Sequence, residues 1–246
     1  GIMERYRFLD INYSTAYYDL QPTVLVNEKN EIAWKLESRN KDGKIIYVTD
    51  SVNSIRKEYT TPINITSSGM YGAALTNNEG QVISSWIRQK FDLNLATGKN
   101  ISLLTAPNKS YSAGGASALV DGVQNQKGML RSAQFLGFNG KDMEATIDLG
   151  KTTPIKDVKL HAFEQKGSWI YKPSAVTFFW SDDGKTFTPF STTINATGTK
   201  NIVYEMDQPV NARFVKVIAR NNGIIADGEP GAGNPAWLFV DEIEIQ

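Results

Sequence analysis

Apolar and polar positions alternate in short runs along the chain, and no stretch sustains helical spacing over a useful length. In the first part, residues 23–26, 31–36, 44–49, 63–66, 69–75, 81–87 and 90–95 are β-branched and aromatic runs, the composition that suits a pleated, half-buried surface. Turn-forming clusters separate them: Asn27-Glu28-Lys29-Asn30, Lys41-Asp42-Gly43 and Asn77-Asn78-Glu79-Gly80. A strand about every ten residues predicts a small β-sandwich of the immunoglobulin or fibronectin kind. Residues 97–100 and 105–109 are turn-rich, which places a domain boundary near Leu103. Beyond it, 145–150, 155–161, 175–180 and 213–218 again read as strands.

With 246 residues and 41% hydrophobic content, the chain can bury one large core or two ordinary ones. Lys+Arg and Asp+Glu are both 26, so no net field draws the protein to nucleic acid or to an anionic membrane. Without cysteine, neither a disulfide framework nor a thiolate metal site is available. No run approaches the roughly 18 apolar residues of a membrane-spanning helix. A start on Gly1, ahead of an internal-looking Met3, suggests a piece of a longer protein whose export signal lies elsewhere.

Two stretches carry chemistry. Ala118-Leu119-Val120-Asp121-Gly122 is an apolar run closed by a turn-forming pair, and Trp237-Leu238-Phe239-Val240-Asp241-Glu242-Ile243-Glu244-Ile245 ends the chain as an alternating strand. Together with Ser181-Asp182-Asp183-Gly184-Lys185 and Ala212-Arg213-Phe214-Val215-Lys216-Val217, in that order, they resemble the discoidin-type carbohydrate-binding module, also called the coagulation-factor C-type domain, from about Ser110 to Gln246. The resemblance implies an eight-stranded jelly roll. In the first part, Tyr47-Val48-Thr49-Asp50-Ser51 followed by Tyr59-Thr60-Thr61-Pro62-Ile63 resembles the small sandwich on the C-terminal side of family 20 β-N-acetylhexosaminidases, although Val48 interrupts the usual Tyr-Thr pair and Ser51 replaces a Gly. Arg7-Phe8-Leu9-Asp10-Ile11-Asn12-Tyr13 is similar to the segment leaving the catalytic barrel of those enzymes. The expected organisation is all-β: 1–20 a connector from a missing catalytic domain, 21–103 an Ig/fibronectin-like sandwich and 104–246 a discoidin-like jelly roll.

The resemblance implies a structural Ca²⁺ held by the carbonyls of Ala118, Val123 and Asp241, the carboxylates of Asp121 and Glu242, and Gln126, which stands where the family's pattern favours Thr. Hard cations of this kind take about six to eight oxygens. An Asx-turn in which Asp121 bonds its own backbone, with Glu242 solvated, explains the same residues without an ion. For the sugar, an aromatic face against the pyranose and planar polar groups on its hydroxyls are needed. Arg131, Phe138, Glu164, Gln165, Trp169 and Asn222 supply that mixture in stretches that correspond to the family's binding loops. A Trp beside a strand is usually core or lid, and for Trp169 and Trp237 that reading outweighs a sugar contact.

His161 is the only histidine and lies in a strand-like run with no marked Ser partner, so a hydrolytic triad has little support. The expectation is a non-catalytic accessory region of a secreted β-N-acetylhexosaminidase-like enzyme, binding galactose- or N-acetylhexosamine-type glycan. A discoidin-type adhesion or protein-interaction module is the alternative. The expected setting is extracellular, periplasmic or on the outer bacterial surface, with the chain monomeric and no nucleic-acid or membrane partner.

Overall fold

In the computed structural model, which describes residues 19–49, 55–190 and 194–246, Asn27 and Asn77 close two turns of the same design. Asn27 Oδ1 accepts from the amides of Lys29 and Glu31 at 2.9 and 3.0 Å, and Asn77 Oδ1 from those of Glu79 and Gln81 at 3.0 and 2.9 Å. The fourth residue of each turn, Asn30 or Gly80, takes positive φ, 61° and 82°, a conformation that Asn and Gly tolerate best. Most of the expected connector and the Asp50-Ser51 pair lie outside the described residues.

The described residues divide into a smaller unit, 19–25, 33–65 and 69–90, and a larger one, 26–32, 66–68 and 91–246. In the first part of the chain, β1 (Leu20–Val26), β2 (Ile32–Ser38) and β5 (Ile63–Asn64) form one sheet in the order β1-β2-β5. A second sheet, β4-β3-β6-β7, is built from β3 (Lys44–Val48), β4 (Lys57–Glu58), β6 (Gly69–Thr76) and β7 (Ile87–Phe91). Strand β2 shows the expected alternation, with Ile32, Trp34 and Leu36 buried between half-buried neighbours. The two runs expected at 81–87 and 90–95 are instead the single strand β7 preceded by a loop. After it, Asn94 Oδ1 accepts from Ala96 N and Thr97 Oγ1 from Asn94 N, both at 2.9 Å, which turns the backbone out of the ladder.

The larger unit is built on an eight-stranded antiparallel sheet. Its members are β8 (Asn100–Leu103), β9 (Leu136–Asn139), β10 (Met143–Phe163), β11 (Ala175–Ser181), β12 (Thr188–Pro189), β13 (Asn195–Thr197), β14 (Asn201–Arg220) and β15 (Trp237–Ile245). The main order is β12-β11-β14-β10-β15-β9, with β13 on β14 and β8 on β10. Residues 100–103, assigned from sequence to the first domain, therefore belong to this sheet: Ile101 faces Ile147 and Leu103 faces Ala145. Runs 145–150 and 155–161 are one strand. Its register with β14 slips between Asp148 and Thr153, where Gly150 takes a φ of 84°, and again between Ile155 and Asp157. Arg213 clamps the first slip, donating from Nε and Nη2 to the two oxygens of Asp148 at 2.8 Å each. Residues on both sides of the slips, Met143, Ile147, Val158, Leu160, Met206 and Val215, are fully buried in a single core, so the sheet folds over on itself as a jelly roll. Residues 110–135 are mostly loop with short 3-10 turns.

Candidate functional site

The acidic turn is reached from two directions. The 3-10 turn Ala116–Val120 delivers Asp121, and Gly122 follows at a φ of 76°. Asp121 Oδ1 accepts from Val123 N at 2.9 Å, the Asx contact. From the other side, β15 pairs β10 with a bulge: His161 faces Glu242 and Ala162 faces Val240, leaving Asp241 as the extra residue. Neighbours in a regular strand face opposite ways, but the bulge cancels that rule here, and Asp241 and Glu242 are 0% and 1% exposed. Glu242 Oε1 accepts from Gly122 N at 3.1 Å. Asp241 accepts from Asn125 N and pairs with His161 Nδ1. Glu242 is therefore not solvated.

Glu242 Oε2 and His161 Nε2 are buried and have no hydrogen-bond partner among the described residues. Burial pushes Glu242 and Asp121 well above the usual carboxylate range; repulsion from Asp121 adds to it for Glu242, and repulsion from Asp241 for Asp121. Burial raises Asp241 too, against the pull of the His161 imidazole. The donors suit a hard cation: two carboxylates, one with an unpartnered oxygen, beside a tight turn. Among the described residues no cluster of three or more His, Cys, Asp or Glu is spaced to hold a metal, so carbonyls such as those of Ala118, Val123 and Asp241 would have to complete the shell. Gln126 is exposed, and its amide nitrogen donates to Gln124 Oε1 at 2.6 Å. A cavity of about 240 Å³ adjoins Glu242 and His161 and is also lined by Lys159, Glu205 and Glu244. Lys159 there lies 3.3 Å from Glu205 and 3.7 Å from Asp157.

The expected sugar residues separate into four groups. Phe138 is 1% exposed in the core beside Leu136 and Leu238, so it cannot offer a ring face to a ligand. It lies on β9, and alternation turns its side chain inward with Leu136. Arg131 and Glu164 are half-buried; the Arg131 carbonyl accepts from Asn125 Nδ2 at 2.9 Å and Glu164 Oε1 from Lys172 N at 3.3 Å. Asn222 is exposed beside Asn221, whose amide ties the loop to the carbonyls of Phe138 and Ala236 at 3.2 and 3.0 Å.

Gln165 and Trp169 stand at the two ends of the 3-10 turn Lys166–Ser168. Gln165 Nε2 donates to Ser168 Oγ at 2.8 Å. Trp169 sits in the left-handed region, φ 61° and ψ 19°, and is 42% exposed. A bulky residue there carries backbone strain of about 1–2 kcal/mol. Its ring rests on Gly231, where a Cβ would lie 2.6 Å from the indole. Two further contacts fasten the same loops together: Lys166 Nζ lies 3.0 Å from Glu229 Oε1, and Tyr171 donates its hydroxyl to the Pro230 carbonyl at 2.8 Å.

On the other side of the turn, Gln165 borders an open groove of about 400 Å³ with Gln126, Lys127, Leu130, Lys200 and Asn201. Its floor is the Phe163 ring, packed against Gly128, where a Cβ would sit 2.7 Å away. Asn201 Oδ1 is buried and has no hydrogen-bond partner among the described residues. Lys127, Lys200 and Asn201 carried no signal in the sequence beyond flanking polar turns, because the groove joins segments more than 30 residues apart.

A family model described as F5/8 type C domain matches residues 104–229. No curated protein matches the chain. Among solved structures, the chain is similar to chitosan-binding module 1 of a chitosanase/glucanase from Paenibacillus sp. IK-5, with 19% identity over 62% of this chain and 98% of the module at a TM-score of 0.42. It is also similar to the lectin domain of lectinolysin complexed with Lewis B antigen, at 20% identity, 62% and 95% coverage and a TM-score of 0.41. A fucose-binding module of Streptococcus pneumoniae follows at 16% identity, 63% and 94% coverage and a TM-score of 0.39.

Proposed function

Because the chain belongs to the F5/8 type C domain family, we propose that its larger unit is a non-catalytic glycan-binding module. The observation that carries this reading is Trp169: a strained backbone holds a large ring on the surface, one face resting on Gly231. An aromatic ring half out of water at a strained position suits a pyranose, whose apolar face stacks on it. Gln165, at the start of the same turn, offers both donor and acceptor to a hydroxyl pair. Galactose- or N-acetylhexosamine-type units fit these contacts.

Glycoside hydrolysis needs two carboxyls across the scissile bond, or one acid acting with the substrate's acetamide, in a pocket that holds the ring. The groove beside Gln165 is lined by amides, lysines and apolar groups, which favours holding a sugar over cleaving it. The parent we propose, on the resemblance of the first part of the chain, is a secreted β-N-acetylhexosaminidase-like hydrolase in which this region tethers the enzyme to glycan, and the setting is extracellular, periplasmic or on the outer cell surface.

For the acidic turn we propose a structural Ca²⁺ held by Asp121 and Glu242 with the Ala118, Val123 and Asp241 carbonyls. When bound, the ion would supply positive charge between two carboxylates that burial alone leaves poorly stabilised. Asp121 and Glu242 themselves link the turn after residue 120 to β15.

A glycan array followed by titration calorimetry tests the binding reading. A shallow site over one or two rings gives affinities near millimolar, about 4 kcal/mol, and Trp169→Ala is expected to reduce binding to the array's best ligand by about tenfold or more. Equal affinity in the wild type and Trp169→Ala would move the site off this turn.

A further inference from the structure

The groove beside the Trp169 turn has a charge pattern that a neutral sugar does not need. Lys127 and Lys200 both line it, both are exposed, and no carboxylate stands among its described lining residues. Among the described residues neither ammonium has an ion-pair partner, whereas Lys35, Lys44, Lys159, Lys166 and Lys216 all lie within 4 Å of an acid. Glu164, the acid next to Gln165 in sequence, accepts from Lys172 N instead. Around the two cations stand the planar amides of Gln126, Gln165 and Asn201, a side-chain type that suits the hydroxyls of a saccharide ring.

Resting on the glycan-binding reading above, we infer that this groove is a subsite for an anionic saccharide unit, its carboxylate or sulfate received between Lys127 and Lys200. Two cations at the mouth of an open groove act as point charges rather than a bidentate fork. Each pair is exposed and contributes modestly, so the preference for acidic over neutral glycan is on the order of tenfold at low salt and shrinks as ionic strength rises. Recognition of the ring stays with Gln165 and Trp169, which hold no charge.

The test is calorimetric titration of the chain with three oligosaccharides of equal length: a galacturonate trimer, a sulfated galactose trimer and a neutral galactose trimer, each at about 20 and 200 mM salt. Expected is tighter binding of at least one acidic trimer, with the uronate and sulfate arms identifying which anion fits, and loss of most of that advantage at the higher salt. The Lys127→Gln/Lys200→Gln variant is expected to bind acidic and neutral trimers alike, at an unchanged melting temperature. Neutral binding equal to acidic in the wild type, or an acidic preference that survives the double substitution, overturns the inference and leaves the glycan reading standing. Binding of none of the three, with the glycan array also blank, overturns both.

Discussion

Gly231 and Gly233 offer a controlled way to move Trp169 without touching it. Both take left-handed φ, 86° and 82°, so replacing either with Ala imposes the same backbone penalty, about 1–2 kcal/mol. Their surroundings differ. A Cβ on Gly231 would sit 2.6 to 2.7 Å from three atoms of the Trp169 indole, whereas a Cβ on Gly233 would meet nothing within 4 Å. Because the indole is 42% exposed, it can swing away, and the clash becomes a displacement of the ring rather than a large further loss of stability. Both variants should thus melt lower by a similar amount, about 2–8 °C at roughly 2–4 °C per kcal/mol for a unit of this size. Only Gly231→Ala should lose sugar affinity. Losing an aromatic stack of about 1–1.5 kcal/mol corresponds to roughly tenfold, enough to push millimolar binding out of calorimetric range. Differential scanning calorimetry and ligand titration on the two variants give both numbers. If Gly231→Ala and Gly233→Ala bind glycan equally, the indole face is not part of the site.

Calcium at 100 times its dissociation constant is expected to stabilise the protein by about 2.7 kcal/mol, and Asp121→Ala or Glu242→Gln to abolish the shift; a melting temperature indifferent to both calcium and chelator refutes the ion. Asp183 takes the amides of Lys185 and Thr186 on one oxygen at 2.8 Å each, which lowers its pKa to about 2. A lowered folded-state value means that this stabilisation is complete above the unfolded pKa near 4 and lost as pH falls through about 2, so carboxyl-detected NMR should show Asp183 titrating near 2, and a midpoint near 4 would deny the turn its role. Phe138→Ala is expected to cost about 3–5 kcal/mol in denaturant unfolding, and a loss of sugar affinity without a loss of stability would return Phe138 to the binding face.

What the sequence revealed depended on how local the cause was. The Asn27 and Asn77 turns and the Asp183 turn are each made by one side chain bonding amides two to four residues away, so composition alone predicts them. The long β10 reads as two strands because the break at Gly150 is real locally, while the ladder to β14 on either side carries on through it. Asp241 and Glu242 are beyond local reading, since a bulge exists only relative to the partner strand that it slips against. Phe138 was misread for a similar reason: a short apolar stretch after a polar loop reads as loop until β15 is placed beside it. The groove is least visible of all, as Lys200 and Asn201 meet Lys127 and Gln165 only once β10 and β14 are paired, Phe163 opposite Asn201.

Strand β15 lies between β9 and β10, and Gln246 continues the pairing by exchanging backbone bonds with Asp157, 3.0 Å from Gln246 N to the Asp157 carbonyl. During synthesis, residues 136–139 and 158–163 must therefore wait, with their ladder edges open, until residues 237–245 have left the ribosome. Pairings that span 76 to 104 residues close slowly, and an open edge is the place where a neighbouring nascent chain can add itself. Expression in short, incomplete forms should accordingly yield aggregate, and the unit's vulnerable interval is the time taken to translate from β10 to β15.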